Sequence, residues 1–131
     1  MSVSRGSCLC GQVVFEFESE FEHFFLCHCQ RCRKASGSAH GANLSARGGV
    51  LRWLSGESLV KRFDLPGTRK VCSFCSHCGA ALPSCSGDRV VIPAGSLDTP
   101  VSIRPEAHLF MDSRADWEEA LDTLPVFREL P

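Results

Sequence analysis

Alternating apolar and polar positions predict several short β-strands along the chain. In the segment 13–18 the odd-numbered positions are all apolar, whereas two of the even-numbered ones are glutamates, so the pattern predicts a strand with one buried face. The segment 21–27 is rich in aromatic residues, and a period of two places its odd-numbered positions, through Cys27 and on to Cys29, on one face. Further strand-like runs lie at 50–54, 59–63, 90–93 and 108–111, separated by turns rich in glycine, serine and proline.

Helical signal is weak and lies mainly near the end of the chain. Asp116 predicts the start of a turn or two of helix at 117–119, which Pro125 would end. Another helical turn is predicted at 30–34. The Gly- and Ser-rich stretch 36–49 is predicted to be a loop rather than a domain boundary. The pattern therefore predicts one mainly β domain over residues 1–131.

Composition excludes several classes of protein. The 131 residues are 44% hydrophobic and 22% charged, which is typical of a folded domain rather than a disordered chain. The formal net charge of −1 supplies no global field that would attract nucleic acid or an anionic membrane. No apolar run approaches the ~18 residues of a membrane-spanning helix, and no signal peptide is recognisable. We therefore expect a cytoplasmic protein whose partners include neither nucleic acid nor membrane.

Nine cysteines in a chain of this length need a chemical explanation. A secreted disulfide framework would suit an even count and a signal peptide, whereas clustered cysteines in a reducing compartment are more often metal ligands or catalytic groups. The cysteines fall into three clusters and one isolated position: Cys8-Leu9-Cys10, Cys27-His28-Cys29-Gln30-Arg31-Cys32, Cys72-Ser73-Phe74-Cys75-Ser76-His77-Cys78, and Cys85.

The spacing of Cys75, Cys78 and Gly79 has the C-x-x-C-G form of a zinc knuckle. Cys72 with Cys75 is an overlapping C-x-x-C pair, but the glycine after Cys78 favours the later frame because it permits the knuckle's turn. One pair cannot complete a tetrahedron of ligands. Cys8 and Cys10 can supply the other two, because thiols one residue apart can face the same side of an extended segment. The sequence thus predicts a structural four-cysteine zinc site, with simple packing of reduced thiols as the alternative.

Cys27, Cys29 and Cys32 form a set of three thiolates, which leaves one position of a tetrahedral zinc ion open. An open position indicates a catalytic site, and the formal charge of −1 on such a site favours a bound thiolate over an activated water. The alternative is a second structural site completed by Cys72, Cys85 or His77. His28 is disfavoured as the fourth ligand because in an extended segment it points away from its flanking cysteines.

Arg31, Arg33 and Lys34 accompany the catalytic set. They are candidates for substrate binding, since basic side chains can hold a substrate's carboxylates or offset the charge of the thiolates. The alternative is a solvated basic face.

Three motifs resemble those of the glutathione-dependent formaldehyde-activating enzyme (GFA/CENP-V) family. They are Gly6-Ser7-Cys8-Leu9-Cys10-Gly11, Cys27-His28-Cys29-Gln30-Arg31-Cys32-Arg33-Lys34-Ala35-Ser36-Gly37 and Phe74-Cys75-Ser76-His77-Cys78-Gly79. The segments 94–98 and 117–131 are also similar to the family, so the resemblance covers nearly the whole chain. Cys72 and Cys85 fall outside its ligand pattern, and for these two we favour simple packing over an extra thiol role.

The resemblance implies a mainly β, Mss4-like (β-tent) fold with two zinc ions per chain. A structural ion would lie on Cys8, Cys10, Cys75 and Cys78, and a catalytic ion on Cys27, Cys29 and Cys32. The family's named activity condenses formaldehyde with glutathione to S-hydroxymethylglutathione and is classed with the carbon–sulfur lyases. We therefore expect a zinc-dependent lyase acting on a small-molecule thiol, such as glutathione, and a small carbonyl compound. The alternative is a non-catalytic, zinc-stabilised protein-binding module of the same fold.

Overall fold

The computed structural model describes residues 2–131, which are built mainly of short β-strands. The strands are β1 (Val3–Ser7), β2 (Val14–Glu18), β3 (His23–Cys27), β4 (Gly41–Arg47), β5 (Val50–Ser55), β6 (Val60–Asp64), β7 (Val71–Cys75), β8 (Ala81–Leu82), β9 (Ser84–Ser86), β10 (Arg89–Pro93) and β11 (Ala107–Leu109). The helical elements are α1 (Gln30–Ser36) and short 3-10 turns at Glu57–Leu59, Ala94–Ser96, Met111–Ser113 and Leu121–Thr123. The mainly β fold class with short C-terminal helical turns is therefore confirmed.

Three sheets make up the fold. The largest has five strands in the order β11-β3-β4-β10-β9, in which only the β11–β3 pair is parallel. The other two are three-stranded and antiparallel, with the orders β1-β2-β5 and β6-β7-β8. An isolated bridge between Gly6 and Leu97 links β1 to the segment after β10. The cysteine clusters lie at the ends of strands from all three sheets.

A single cluster of buried apolar side chains joins the sheets. Across the five-stranded sheet, Leu44 is the register partner of both Phe24 and Ile92, and all three side chains are buried. The first sheet contributes Phe15 and Phe17, which are fully buried. Such rows of cross-strand neighbours are the unit by which a sheet is stabilised.

The strand predictions are confirmed, but the loop predicted at 36–49 is wrong. Each of the predicted runs 13–18, 21–27, 50–54, 59–63, 90–93 and 108–111 overlaps an observed strand. The stretch 36–49 instead contains β4, which is paired on both sides. Its small residues are suited to that place, because a side chain on Gly41 would press against Cys32 of α1.

The predicted helical turn at 30–34 is confirmed and extends to Ser36 as α1. The helical turn predicted to start at 117–119 and to end at Pro125 starts later, as the 3-10 turn Leu121–Thr123, because residues 116–120 form a turn and bend in which Glu118 contacts the buried ring of His28. The tertiary contact outweighs the capping tendency of Asp116. No helix within residues 2–131 is long and apolar enough to cross a membrane.

Candidate metal centres and the adjoining cleft

Four cysteines from distant parts of the sequence meet between two sheets. Cys8 and Cys10 follow β1, Cys75 is the last residue of β7, and Cys78 lies in the turn that follows it. Their four sulfur atoms all lie within 4.8 Å of one another, and the Cys8 and Cys10 Sγ atoms are 3.5 Å apart. Four clustered thiols are the donor set of a closed structural zinc site. This group could therefore hold a metal ion that ties the sheet of β1 to the sheet of β7.

Two glycines shape the turns of this four-cysteine group. Gly11 and Gly79 adopt φ angles of 80° and 78°, which disfavour residues with a side chain. The N–H of Gly11 donates to the carbonyl of Cys8 (3.1 Å), and that of Gly79 donates to the carbonyl of Cys75 (2.7 Å). The glycine after each cysteine pair thus allows a tight turn that brings the two sulfurs together.

Backbone hydrogen bonds favour the thiolate at part of this group. The N–H of Ala80 is the largest of the influences that lower the pKa of Cys78 to about 6. At Cys10 a hydrogen bond from the Gln12 backbone acts in the same direction, but desolvation and the neighbouring sulfurs raise the pKa of Cys10 to about 11. One thiolate forms readily while its neighbour resists ionisation. A bound cation would supply the positive charge needed to ionise the whole set.

Cys27, Cys29 and Cys32, called the trio below, lie where β3 passes into α1. Cys27 ends the strand, and Cys29 is the N-cap residue of the helix, whose Sγ accepts a hydrogen bond from the Cys32 N–H at 3.4 Å. The Cys27 and Cys29 sulfurs are 3.5 Å apart, and the three sulfurs lie within 4.8 Å of one another. The trio could hold a metal ion with three thiolates, a donor set that leaves a fourth position open.

A lysine side chain lies next to the trio. Lys70 Nζ lies 3.7 Å from Cys32 Sγ. Burial is the largest influence that raises the pKa of Cys32 to about 12, and the sulfur of Cys27 adds to it, whereas the Lys70 ammonium opposes the rise. The buried Cys32 thiol thus needs a positive charge close to its sulfur in order to ionise.

A cleft of about 540 Å³ opens beside the trio. Cys27 and Cys32 form part of its wall, together with the apolar side chains of Phe25, Val91 and Leu109. A second cleft of about 500 Å³ shares Cys32 and Lys70 with it and extends to Cys72. Clefts of a few hundred Å³ with apolar walls and a few polar groups are typical of small-molecule sites.

The larger cleft carries basic side chains that the sequence analysis missed. Arg47, Arg69, Lys70 and Arg89 line it. Arg47 pairs with Asp88 at 3.3 Å, whereas Arg69 and Arg89 have no acidic partner within 4.0 Å in the described part of the chain. These residues come from three separate segments, so no local spacing in the sequence could have found them.

The basic residues predicted from the sequence lie on α1 instead. Arg31 and Lys34 are exposed, and the guanidinium of Arg33 donates to the carbonyl of Ser113 at 3.0 Å. None of the three lines either cleft beside the trio. Their role in substrate binding stays a prediction.

His28 belongs to a separate group. Its ring is fully buried, and its Nδ1 lies 2.8 Å from Glu118 Oε2 while its Nε2 lies 2.8 Å from His108 Nδ1. The ring of His40 packs 5.0 Å away, and its buried Nδ1 has no hydrogen-bond partner among residues 2–131. Glu118, His108 and His40 were not predicted as site residues, because nothing local to them in the sequence indicates that they meet.

Comparisons with known proteins concern both family and fold. A family model described as glutathione-dependent formaldehyde-activating enzyme matches residues 3–113. The crystal structure of a Rhodobacter sphaeroides protein superimposes with a TM-score of 0.59 and 24% sequence identity, covering 80% of this chain and 98% of that one. At this identity the likeness concerns the fold alone. No curated protein matches the sequence.

Proposed function

Because the chain belongs to the glutathione-dependent formaldehyde-activating enzyme family, we propose that it is a zinc-dependent carbon–sulfur lyase. Its substrate would be the adduct of a small-molecule thiol, such as glutathione, with a small carbonyl compound, such as formaldehyde. The observation that carries the proposal is the position of the trio, whose three sulfurs are clustered and two of whose residues, Cys27 and Cys32, line a cleft with basic side chains.

The proposal assigns different roles to the two cysteine groups. Cys8, Cys10, Cys75 and Cys78 would hold a structural zinc ion, and the trio of Cys27, Cys29 and Cys32 would hold a catalytic one. A zinc ion with three thiolate ligands and an open position supplies an electrophilic site that favours a substrate thiol in its thiolate form. The protein's own contribution is to bind, orient and screen the reactants.

The basic lining favours a thiol that carries carboxylates. Arg69 and Arg89 have no acidic partner within residues 2–131, and guanidinium groups bind carboxylates in a fork geometry. Glutathione has two carboxylates, and the cleft of about 540 Å³ falls within the range of volumes that small-molecule ligands occupy. Arg31, Arg33 and Lys34 on α1 are the alternative carriers of this role.

The reaction exchanges a carbon–oxygen π bond for a carbon–sulfur bond. In the direction of synthesis the thiolate sulfur attacks the carbonyl carbon, and the π electrons move to the carbonyl oxygen. That oxygen then takes up one proton, which balances the proton that the thiol lost on ionisation. The lyase direction reverses each step. The Lys70 ammonium lies 3.7 Å from Cys32 Sγ, and its positive charge would stabilise an oxyanion that forms next to it. The cleft walls would hold both reactants in reach of each other.

Exchange spectroscopy by carbon-13 NMR, which follows the interconversion of formaldehyde and its glutathione adduct, tests the proposal. Carbon-13-labelled formaldehyde and glutathione interconvert with their adduct spontaneously, so the measured quantity is the exchange rate above that background. We expect the zinc-loaded protein to raise this rate in proportion to its concentration, and Cys29→Ser to return it to background.

Cys85→Ser is the matched control, because Cys85 is an exposed cysteine outside both cysteine groups. It should keep the rate of the unaltered protein. If the zinc-loaded protein leaves the rate at background although both groups bind metal, a non-catalytic binding module is the better description.

A further inference from the structure

A glutamate from the exposed C-terminal segment enters the protein interior beside the trio. Most residues from 114 onward are exposed, but the Glu118 side chain is only 11% exposed and the ring of His28 is not exposed at all. A carboxylate leaves water at little cost only where it gains a hydrogen bond or an opposite charge. Glu118 gains such a bond from His28 at 2.8 Å.

His28 is held at both ring nitrogens and at its backbone N–H. Glu118 occupies Nδ1, His108 on β11 occupies Nε2, and the backbone N–H of His28 donates to the carbonyl of Leu109 at 2.8 Å. These contacts come from two segments far along the chain. They fix both the ring and the backbone of a residue that lies directly between two cysteines of the trio.

Holding His28 in this way constrains its neighbours. The Cys27 and Cys29 sulfurs meet 3.5 Å apart, while the ring between them is embedded in a different group. Rotation of this short segment would move the ring and both sulfurs together. Residues that surround a metal site orient its ligands, and substituting such residues typically lowers metal affinity or activity by 10- to 100-fold.

We propose that Glu118 and His108 are positioning residues for the trio, acting through His28 to hold Cys27 and Cys29 ready for the metal. The inference rests on the proposed function only in requiring that the trio binds a metal ion. Glu118 lies beyond the residues 3–113 that the family model matches, so the comparison does not assign it this role.

Hydrogen bonding explains why His28, His40 and Glu118 lie together better than a third metal ion does. The donor atoms of His28, His40 and Glu118 do lie within 4.8 Å of one another. Both ring nitrogens of His28, however, already have partners at 2.8 Å, and an ion would have to replace one of them.

Cobalt titration of the full chain, in competition with a chelator, tests the proposal. The absorption bands that Cys29→Ser removes are assigned to cobalt at the trio, and the bands that remain are assigned to cobalt at the four-cysteine group. We expect Glu118→Ala to weaken cobalt binding at the trio by about tenfold or more and to alter its bands, with the four-cysteine signal unchanged. Glu118→Gln, which keeps a hydrogen-bond acceptor for His28, should recover most of the loss and guards against a variant that fails to fold.

Glu119→Ala is the matched control, since Glu119 is the exposed neighbour of Glu118. Equal affinity and bands for the Glu118→Ala and Glu119→Ala proteins would overturn the proposal. A third cobalt equivalent without thiolate bands, lost in Glu118→Ala, would overturn it in favour of a metal site at His28. If the unaltered protein shows no signal that Cys29→Ser removes, the proposed function fails at its metal site, an outcome distinct from the other two.

Discussion

Lys70 Nζ lies 3.7 Å from Cys32 Sγ, and this contact shows how one strand joins the two cysteine groups. Lys70 immediately precedes β7, and Cys75 ends that strand within the four-cysteine group. Five residues of extended chain span roughly 16 Å. Because β7 starts at the trio and ends at the other group, disorder at the four-cysteine group would reach the trio through this strand.

The metal content is the first expectation to check. Protein purified without chelator should contain close to two zinc ions per chain by elemental analysis. A mild chelator should remove one ion first, from the trio, because a three-thiolate site with an open position exchanges its metal more readily than a closed one. Cys29→Ser should leave one ion that resists the chelator. A chain without zinc would contradict both assignments.

The two cysteine groups should fail differently when a ligand is lost. Cys78→Ser should abolish soluble folding or lower the melting temperature steeply, since a structural zinc can contribute on the order of 10 kcal/mol of apparent binding energy to a small domain. Cys29→Ser should cost activity while the fold is kept. Thermal unfolding followed by circular dichroism measures both, with Cys85→Ser as the control. Similar melting of the Cys29→Ser and Cys78→Ser proteins would refute the division into structural and catalytic sites.

The cysteine groups were accessible from the sequence because ligand spacing is local. The turn that closes Cys75 and Cys78 depends on Gly79 beside them, and the N-cap geometry of Cys29 involves Cys32 three residues on. Pairing Cys8 and Cys10 with the later knuckle needed only the count of ligands in a tetrahedron. Each cysteine pair and the trio thus follow from residues that are close in sequence, and the joining of the two distant pairs follows from the number of ligands.

The other features of the fold and of the site depend on contacts that only the folded chain creates. The strand β4 has one large apolar side chain, Leu44, because its partners Phe24 and Ile92 supply the neighbouring bulk, so its sequence has the composition of a loop. The basic lining of the cleft, including Arg69 and Arg89, is assembled from separate segments. Periodicity and spacing carry no information about such meetings.

Gly6 should be intolerant of a side chain. A Cβ there would overlap the ring of Phe15 and the carbonyl oxygen of Ser96, both packed against β1. Gly6→Ala should therefore lower the free energy of unfolding by about 1–3 kcal/mol, the usual cost of overpacking. Gly95→Ala is the control, because a Cβ at Gly95 meets nothing within 4 Å. Chemical denaturation measures both, and equal stability of the two variants would show that β1 can shift to make room.

The basic lining of the cleft should discriminate between thiols by charge. A charge-assisted hydrogen bond to a carboxylate contributes about 1.5–3 kcal/mol, so Arg69→Ala or Arg89→Ala should weaken glutathione binding roughly tenfold or more. Mercaptoethanol has no carboxylate and should bind these variants as it binds the unaltered protein. Titrating both thiols against the cobalt-loaded protein measures the contrast, and Arg128→Ala in the exposed tail is the control. If Arg31→Ala on α1 weakens glutathione binding instead, the carboxylates of glutathione bind to the helix. Equal weakening of the binding of both thiols would mean that the arginines act on the charge of the metal site.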